Sequence, residues 1–117
     1  MAAAAYRVDN LVAIVDHNRV QATDAVENVM PVGDIPAKWR AFGWNVMEID
    51  GHDMAQILTA LDQARATRGL PTAVIANTVK GKGFTFAEGR AKYHNAAMNE
   101  DEYRQAWEAV KAMKEEA

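Results

Sequence analysis

A short apolar segment that ends abruptly in polar residues constrains this chain more than any other feature. Leu11 to Val15 are five apolar residues, three of them β-branched, and Asp16, His17 and Asn18 follow directly. This pattern is typical of a buried parallel strand that delivers polar groups to the carboxyl edge of a sheet, where ligands bind in open α/β folds. Asp16 and Asn18 carry the oxygen ligands that a hard cation such as Mg²⁺ requires. A strand end with turn-forming Asp and Asn is the alternative interpretation.

The size and composition indicate one globular domain. The chain has 117 residues, of which half are apolar and a quarter charged, which argues against disorder. A net charge of −3 gives no basic surface for nucleic acid, and no apolar run approaches the ~20 residues that span a bilayer. The sequence contains no cysteine and no serine, which excludes disulfides, thiolate metal sites and a hydrolytic triad. We expect a cytoplasmic protein without nucleic-acid or membrane partners.

Two further segments predict strands. Trp44 to Ile49 alternates in polarity, and Thr72 to Val79 is rich in β-branched residues. A glycine-rich turn, residues 80–83, follows the third strand. The long segment Arg19 to Val32 has no sustained period and indicates a loop, and loops of this length tend to be functional.

Capping residues mark the helices between the strands. Asp34 caps a helix with Pro36 in its first turn, and Gly43 ends it. Asp53 and Gln56 form a variant of the capping box at the next helix. The apolar stripe of that helix consists of Ile57, Leu58, Leu61 and Ala64.

The two ends of the chain also predict helix. Asn99 and Glu102 start a final helix, and its tail, Lys111 to Ala117, is expected to fray. The apolar side of that helix consists of Tyr103, Ala106, Trp107 and Val110. Ala2 to Ala5 are strong helix formers with no capping residue before them. They indicate the end of a helix whose beginning is absent, so we expect residues 1–117 to form a single, incomplete domain.

Alternating strands and helices predict an α/β fold, a three-layer α/β/α arrangement with a parallel sheet and right-handed crossovers. Three strands are few for such a sheet. We therefore expect an exposed sheet edge, and self-association of the chain, unless missing chain or another subunit covers that edge.

The carboxyl ends of the three strands should meet at one rim of the sheet. They place residues 16–18, 50–53 and 78–83 there, with oxygen ligands, lysines and backbone N–H groups. Such a rim suits a phosphate ligand bridged by Mg²⁺. The glycine-rich turn is not a P-loop, because no Gly-Lys-Ser/Thr opens a helix, and a solvated loop is its simpler interpretation.

The three histidines leave alternatives open. His17 could donate a hydrogen bond beside a ligand or be merely exposed, and His52 is more simply explained as a residue that fixes a turn. Spacing alone leaves His94 ambiguous, because a zinc site needs further ligands at definite intervals and the sequence shows none.

Taken together, the motifs resemble transketolase, in particular the diphosphate-binding, amino-terminal subunit of the split type. The resemblance covers nearly the whole chain in order. It lies in residues 11–24, 26–27, 38–44, 49–53, 78–83 and 88–94. The chain looks like the carboxyl-terminal half of that subunit, with a partial thiamine-diphosphate-binding fold.

The resemblance implies site residues and cofactors. Asn18 would give its side-chain oxygen, and Val20 its backbone carbonyl, to Mg²⁺. Ala22 would lie near the rings of thiamine diphosphate. His94 matches a family histidine that contacts the diphosphate and the substrate, and is the implied catalytic residue. Two departures from the family pattern are Asp24, which adds a negative charge and a Cβ where φ could be positive, and Asn95, which tolerates the left-handed region.

The resemblance also implies what must come from elsewhere. The family motif opens with Gly-Asp-Gly, which supplies an acidic Mg²⁺ ligand, and this tripeptide does not occur in the sequence. An upstream segment would provide it, and a pyrimidine-binding domain or subunit would provide the catalytic glutamate. The implied activity is transfer of a two-carbon ketol unit between sugar phosphates, in the pentose phosphate pathway, by an oligomer, with the isolated chain inactive.

Other functions remain open on the sequence. A non-catalytic relic or association module would keep the fold alone. A fragment of a deoxyxylulose-phosphate synthase or of a 2-oxo acid dehydrogenase is the weaker alternative, because residues 88–90 and His94 favour transketolase.

Overall fold

The computed structural model describes residues 1–115, which divide into two compact units. Unit 1 comprises residues 1–17 and 32–78, and unit 2 comprises residues 18–31 and, within the described range, 79–115. In chain order the elements are α1 (Ala2–Ala5), β1 (Val12–His17), α2 (Val26–Val29), α3 (Ile35–Ala41), β2 (Asn45–Asp50), α4 (Met54–Ala66), β3 (Thr72–Asn77), a 3₁₀ helix (Ala91–His94) and α5 (Glu100–Glu115). None of the described helices is long and apolar enough to cross a membrane.

Unit 1 is built on a three-stranded parallel sheet with strand order β1-β3-β2. Thr72 of β3 is aligned with Val12 of β1 and with Asn45 of β2. The connections β1 to β2 and β2 to β3 cross the sheet in opposite directions, so right-handed crossovers place α3 and α4 on opposite faces. The α/β/α architecture expected from the sequence is confirmed.

The core of unit 1 lies on the central strand β3. Thr72 to Ala76 are all buried, and Ile75 is only 1 % exposed. A parallel strand with neighbours on both edges and helices on both faces is typically a nearly continuous run of apolar residues, as β3 is. The strand ends at Asn77, two residues before the expected end at Val79.

The predicted caps form as expected. The Asp34 carboxylate accepts a hydrogen bond from the Ala37 N–H at 2.8 Å, and Asp53 accepts from the N–H groups of Ala55 and Gln56 at 2.9 and 3.1 Å. Gly43 adopts φ +81° after α3, the left-handed conformation that ends a helix. Local sequence therefore fixes both ends of α3 and the start of α4.

The apolar stripe of α4 is only partly buried. Ala64 of the stripe is buried, as is the neighbouring Ala60, whereas Leu58 is 58 % and Leu61 37 % exposed. Helix α4 packs on β2. Part of the stripe therefore has no covering element within unit 1.

In unit 2, the segment predicted to be a loop, Arg19 to Val32, contains regular structure. The one-turn helix α2 lies within it, and Val20 and Ala25 form an antiparallel bridge. The prediction of a long loop missed these elements, because hydrogen bonds between nearby residues, not apolar periodicity, order this segment.

A second ordered loop of unit 2 spans residues 80–89. The Gly89 N–H donates to the Lys80 carbonyl at 2.9 Å and closes the loop. Phe86 packs edge-on against Tyr93, with ring centroids 5.5 Å apart. Gly81 adopts φ +72°, and a Cβ there would lie 3.0 Å from the Ala87 carbonyl oxygen.

Helix α5 begins with the predicted capping box. The Glu102 N–H donates to Asn99 Oδ1 and the Asn99 N–H donates to Glu102 Oε2, both at 2.9 Å. Ala106 is buried, but Tyr103 and Trp107 are more than half exposed. The sequence predicts fraying from Lys111 onwards, yet α5 stays helical to Glu115, and the last two residues lie outside the described range.

Candidate functional site

Polar side chains meet at the carboxyl rim of the unit 1 sheet. His17 and Asn77 are register partners at the ends of β1 and β3, and His17 Nδ1 lies 3.0 Å from Asn77 Oδ1. The Asn77 amide nitrogen donates to the Ile49 carbonyl at 3.4 Å, so its oxygen is the acceptor for His17 Nδ1–H, an assignment made from the hydrogen-bond network. This chain of hydrogen bonds ties all three strand ends together.

Two further contacts organise the same rim. The Thr78 hydroxyl donates to the Asp16 carboxylate, and the Gly51 N–H donates to the Asn77 carbonyl at 2.8 Å. The sequence placed Asp16, His17 and Thr78 at this edge but missed Asn77, the last residue of the central strand. Asn at the end of the third strand was the available signal, because parallel strands end at one edge.

The turn between β2 and α4 is structural. The Asp50 carboxylate accepts a hydrogen bond from the His52 N–H at 2.8 Å. This is an Asx turn, which supports the interpretation that residues 50–53 fix the chain direction.

Asn18 and Val20 are brought together in unit 2. The Val20 N–H donates to Asn18 Oδ1 at 2.9 Å, and Arg19 between them adopts φ +62°. The Arg19 carbonyl accepts from the Val26 N–H at 3.0 Å, which holds this uncommon backbone conformation in place. The left-handed Arg19 could not be foreseen, because the residue type gives no signal for it.

The donor set of this turn fits half of a magnesium site. An amide oxygen has two lone pairs, so the hydrogen bond from the Val20 N–H does not by itself exclude a metal ion. Asn18 and Val20 would provide two neutral oxygens, whereas protein Mg²⁺ sites use one or two carboxylates. Among residues 1–115, no group of three or more His, Cys, Asp or Glu is arranged to hold a metal ion.

The Asp24 carboxylate forms hydrogen bonds within its own segment of the chain. Its two carboxylate oxygens accept hydrogen bonds from the Ala25 N–H at 2.7 Å and from the Asn28 amide at 3.0 Å. These bonds, that from Ala25 first, lower the pKa of Asp24. Its φ is not positive, since Arg7 and Arg19 are the described non-glycine residues with positive φ. The prediction of a positive φ at Asp24 is therefore wrong.

The other implied site residues lie at two places in unit 2. Ala22 is exposed in the turn closed by the Gln21 N–H and the Asp24 carbonyl, two residues after Val20. His94 is exposed at the end of the 3₁₀ helix. Asn95 after it has φ −151°, so no left-handed residue is needed there.

The segment before His94 is anchored to α5 through Glu102. The Tyr93 hydroxyl donates to Glu102 Oε1 at 2.5 Å, and Lys92 Nζ lies 3.6 Å from the same oxygen. The Tyr93 hydroxyl is the main cause, with the Asn99 N–H and Lys92 contributing, of a lowered pKa of Glu102. Glu102, the charged capping residue of α5, therefore holds the 3₁₀ helix that ends at His94 against α5.

Comparison with known proteins agrees with this description. The family model for the transketolase thiamine diphosphate binding domain matches residues 1–115. The 6-deoxy-6-sulfo-D-fructose transketolase subunit SqwG of Clostridium sp. is 39 % identical over 106 residues, which are 91 % of this chain and 38 % of that subunit. A subunit of the apulose-4-phosphate transketolase of Phocaeicola vulgatus is likewise 39 % identical, with the same coverage. Human transketolase is 37 % identical over 79 % of this chain and 14 % of its own length.

Solved transketolases share the fold. The structure from Campylobacter jejuni superimposes with a TM-score of 0.86 at 30 % identity, covering 94 % of this chain and 17 % of that one. A Pichia stipitis transketolase superimposes with a TM-score of 0.82 at 28 % identity, covering 90 % and 16 %. The present chain spans less than two-fifths of the subunit relatives. On the family match, the relatives and the shared fold, the chain belongs to the transketolase family, within its thiamine diphosphate binding domain.

Proposed function

We propose that this chain is the part of a transketolase that holds Mg²⁺ and thiamine diphosphate, and that the complete enzyme transfers a two-carbon ketol unit between sugar phosphates. The observation that carries the proposal is the turn in which the Val20 N–H meets Asn18 Oδ1, directly after the polar end of strand β1. Amide and carbonyl oxygens at such a position suit Mg²⁺.

Each implied residue has a physical role. The side-chain oxygen of Asn18 and the carbonyl of Val20 hold and orient Mg²⁺. Ala22 offers an exposed methyl group to the cofactor rings. The exposed imidazole of His94 donates a hydrogen bond to phosphate oxygens and to substrate. When bound, thiamine diphosphate supplies the carbanion chemistry, and these residues supply binding and orientation.

The proposal requires protein beyond the residues described here. Its partners are a segment that carries the acidic Mg²⁺ ligand and a pyrimidine-binding domain or subunit that carries the catalytic glutamate. Relatives named as transketolase subunits support a division of the enzyme between chains. The assembly is an oligomer in the cytoplasm, with sugar phosphates as substrates.

Isothermal titration tests the proposal. We expect no Mg²⁺-dependent binding of thiamine diphosphate to the isolated chain, because it contributes two neutral oxygens. Binding should appear when the chain is mixed with the part of the Phocaeicola vulgatus subunit that lies outside the matched residues and with a pyrimidine-binding transketolase subunit. Asn18→Ala should then weaken the Mg²⁺-dependent binding at least about tenfold, as loss of a metal ligand does.

Asn28→Ala is the matched control, because it removes the same kind of side chain from the same loop. The Asn28 amide donates to the exposed Asp24 carboxylate, so its loss should leave the turn at Asn18 and Val20 in place. Equal binding by the Asn18 and Asn28 variants would refute the magnesium assignment.

An association module without catalysis is the second candidate. The observation in its favour is that the sequence contains no Gly-Asp-Gly. In that case the mixture would form a complex but bind no cofactor, which the same titration detects.

A further inference from the structure

The side of strand β1 that faces α4 is uncovered. Side chains of β1 alternate between the two faces of the sheet, and on one face Ala13 and Val15 are half-buried. On the other face Val12 is 37 % and Ile14 is 64 % exposed. An isoleucine in the middle of a parallel strand is therefore mostly in contact with solvent, although parallel sheets are normally covered on both faces.

Ile14 borders an apolar groove of about 240 Å³ between β1 and α4. We call it the β1 groove. Its large lining side chains are Ile14, Ile49, Ile57, Leu61 and Val74, and the remaining lining residues are alanine or glycine. Because no polar side chain lines it, a water molecule or a polar metabolite would find few hydrogen-bond partners. The apolar lining of the groove therefore favours contact with an apolar protein surface.

We propose that the β1 groove receives the apolar face of a helix from the part of a transketolase subunit that lies outside the residues matched by this chain. This inference rests on the proposed function, because it names where the additional protein docks. Helix α4 packs on β2 and occupies that side of the face. Neighbouring helices lie about 8–10 Å apart, so the next helix would lie over β1 and against Leu61.

One observation supports this occupant. The chain spans 38 % of the subunit relatives, so such a subunit has enough additional residues to cover this face.

The experiment is a binding titration without cofactor, metal or sugar phosphate. The fluorescently labelled chain is titrated with the part of the Phocaeicola vulgatus subunit outside the matched residues. Ile14→Lys should weaken binding at least about tenfold, because a charge would be buried at the centre of the contact. Leu58→Lys should change it by no more than about twofold, since Leu58 is on α4, is 58 % exposed and does not line the groove.

Hydrogen exchange provides a second readout. Binding should slow exchange of the amides of β1 and of residues 57–61, and circular dichroism should show that both variants remain folded. Equal binding by the two lysine variants, or no binding by the unmodified chain, would overturn the proposal. The chain could instead form a dimer that dissociates in Ile14→Lys but stays intact with excess subunit segment. That result would identify a second copy of the chain as the occupant of the groove and would also overturn the proposal.

The two proposals fail separately. Loss of docking in Ile14→Lys together with no Mg²⁺-dependent cofactor binding in the complex would leave the docking site standing and refute the proposed function.

Discussion

The two units of the chain are stabilised in different ways. In unit 1 the buried residues are concentrated on β3 and on the facing side of α4, where Ile75 and Ala64 are nearly inaccessible. In unit 2, Ala87 and Ala106 are the buried apolar residues of the described part. Caps, closed turns and left-handed glycines order the rest of unit 2.

The implied ligand residues lie on the unit with the smaller core. Asn18, Val20, Ala22 and His94 all belong to unit 2. Hydrogen bonds fix geometry with a small net gain in stability, whereas buried side chains provide most of the stability of a fold. We therefore expect unit 1 to contribute most of the stability of the chain, whereas unit 2 carries the residues that we propose as ligands.

The largest expected effect is in unit 1. Ile75→Ala should lower the free energy of unfolding by about 3–4 kcal/mol, because it leaves a cavity in a fully packed strand. Urea denaturation, followed by the fluorescence of Trp39 and Trp44 in a Trp107→Phe background, measures the loss.

Ile14→Ala is the matched control, since it removes the same atoms from a side chain that is 64 % exposed. We expect it to cost less than about 1 kcal/mol. Similar losses in the two variants would show that β3 is not the core of unit 1.

An intermediate effect is expected in unit 2. Gly81→Ala introduces a Cβ at φ +72° that lies 3.0 Å from the Ala87 carbonyl oxygen. Both the left-handed backbone and the close contact oppose the substitution, so it should cost about 1–2 kcal/mol. Hydrogen exchange should show the loss at residues 80–89 rather than in the sheet.

Gly69→Ala separates the two causes. Gly69 has φ +75°, but a Cβ there would meet nothing within 4 Å. If Gly69→Ala costs as much as Gly81→Ala, the contact with Ala87 contributes nothing.

The smallest effect concerns pH. The pKa of Glu102 is lowered, first by the Tyr93 hydroxyl and then by the Asn99 N–H. A carboxylate with a lowered folded-state pKa stabilises the fold fully above its unfolded-state pKa, and that contribution is lost as pH falls through the folded-state pKa. Unit 2 should therefore lose stability on acidification.

Circular dichroism melts of the chain and of Glu102→Gln, from about pH 6 to about pH 3, measure this dependence. The difference in Tm between the two proteins should shrink as the pH falls. A difference that stays constant would show that Glu102 does not titrate with folding.

Local elements were predicted from the sequence because their signals are local. Asp34, Asp53 and the Asn99–Glu102 pair cap helices as predicted. Strand β1 was predicted over residues 11–15 and forms over Val12–His17. The helix caps depend on contacts among residues close in sequence. The apolar run that predicts β1 is also local, although the strand itself pairs with the distant β3.

Less of the candidate site than of the fold could be predicted from the sequence. The family resemblance implied Asn18 and Val20, and their hydrogen bond supports a common turn. The bond between His17 and Asn77, and the left-handed Arg19, were not predicted. The first joins residues 60 positions apart, and the second depends on how the surrounding loop closes.

The sequence alone determined the order and type of most elements, the parallel character of the sheet and the polar groups at its edge. Only the tertiary structure decided that β3 lies in the middle of the sheet and that Ile75 is buried while Ile14 is exposed. The physical reason is that helix caps and strand periodicity depend on neighbours in sequence, whereas burial depends on which distant segments cover a side chain.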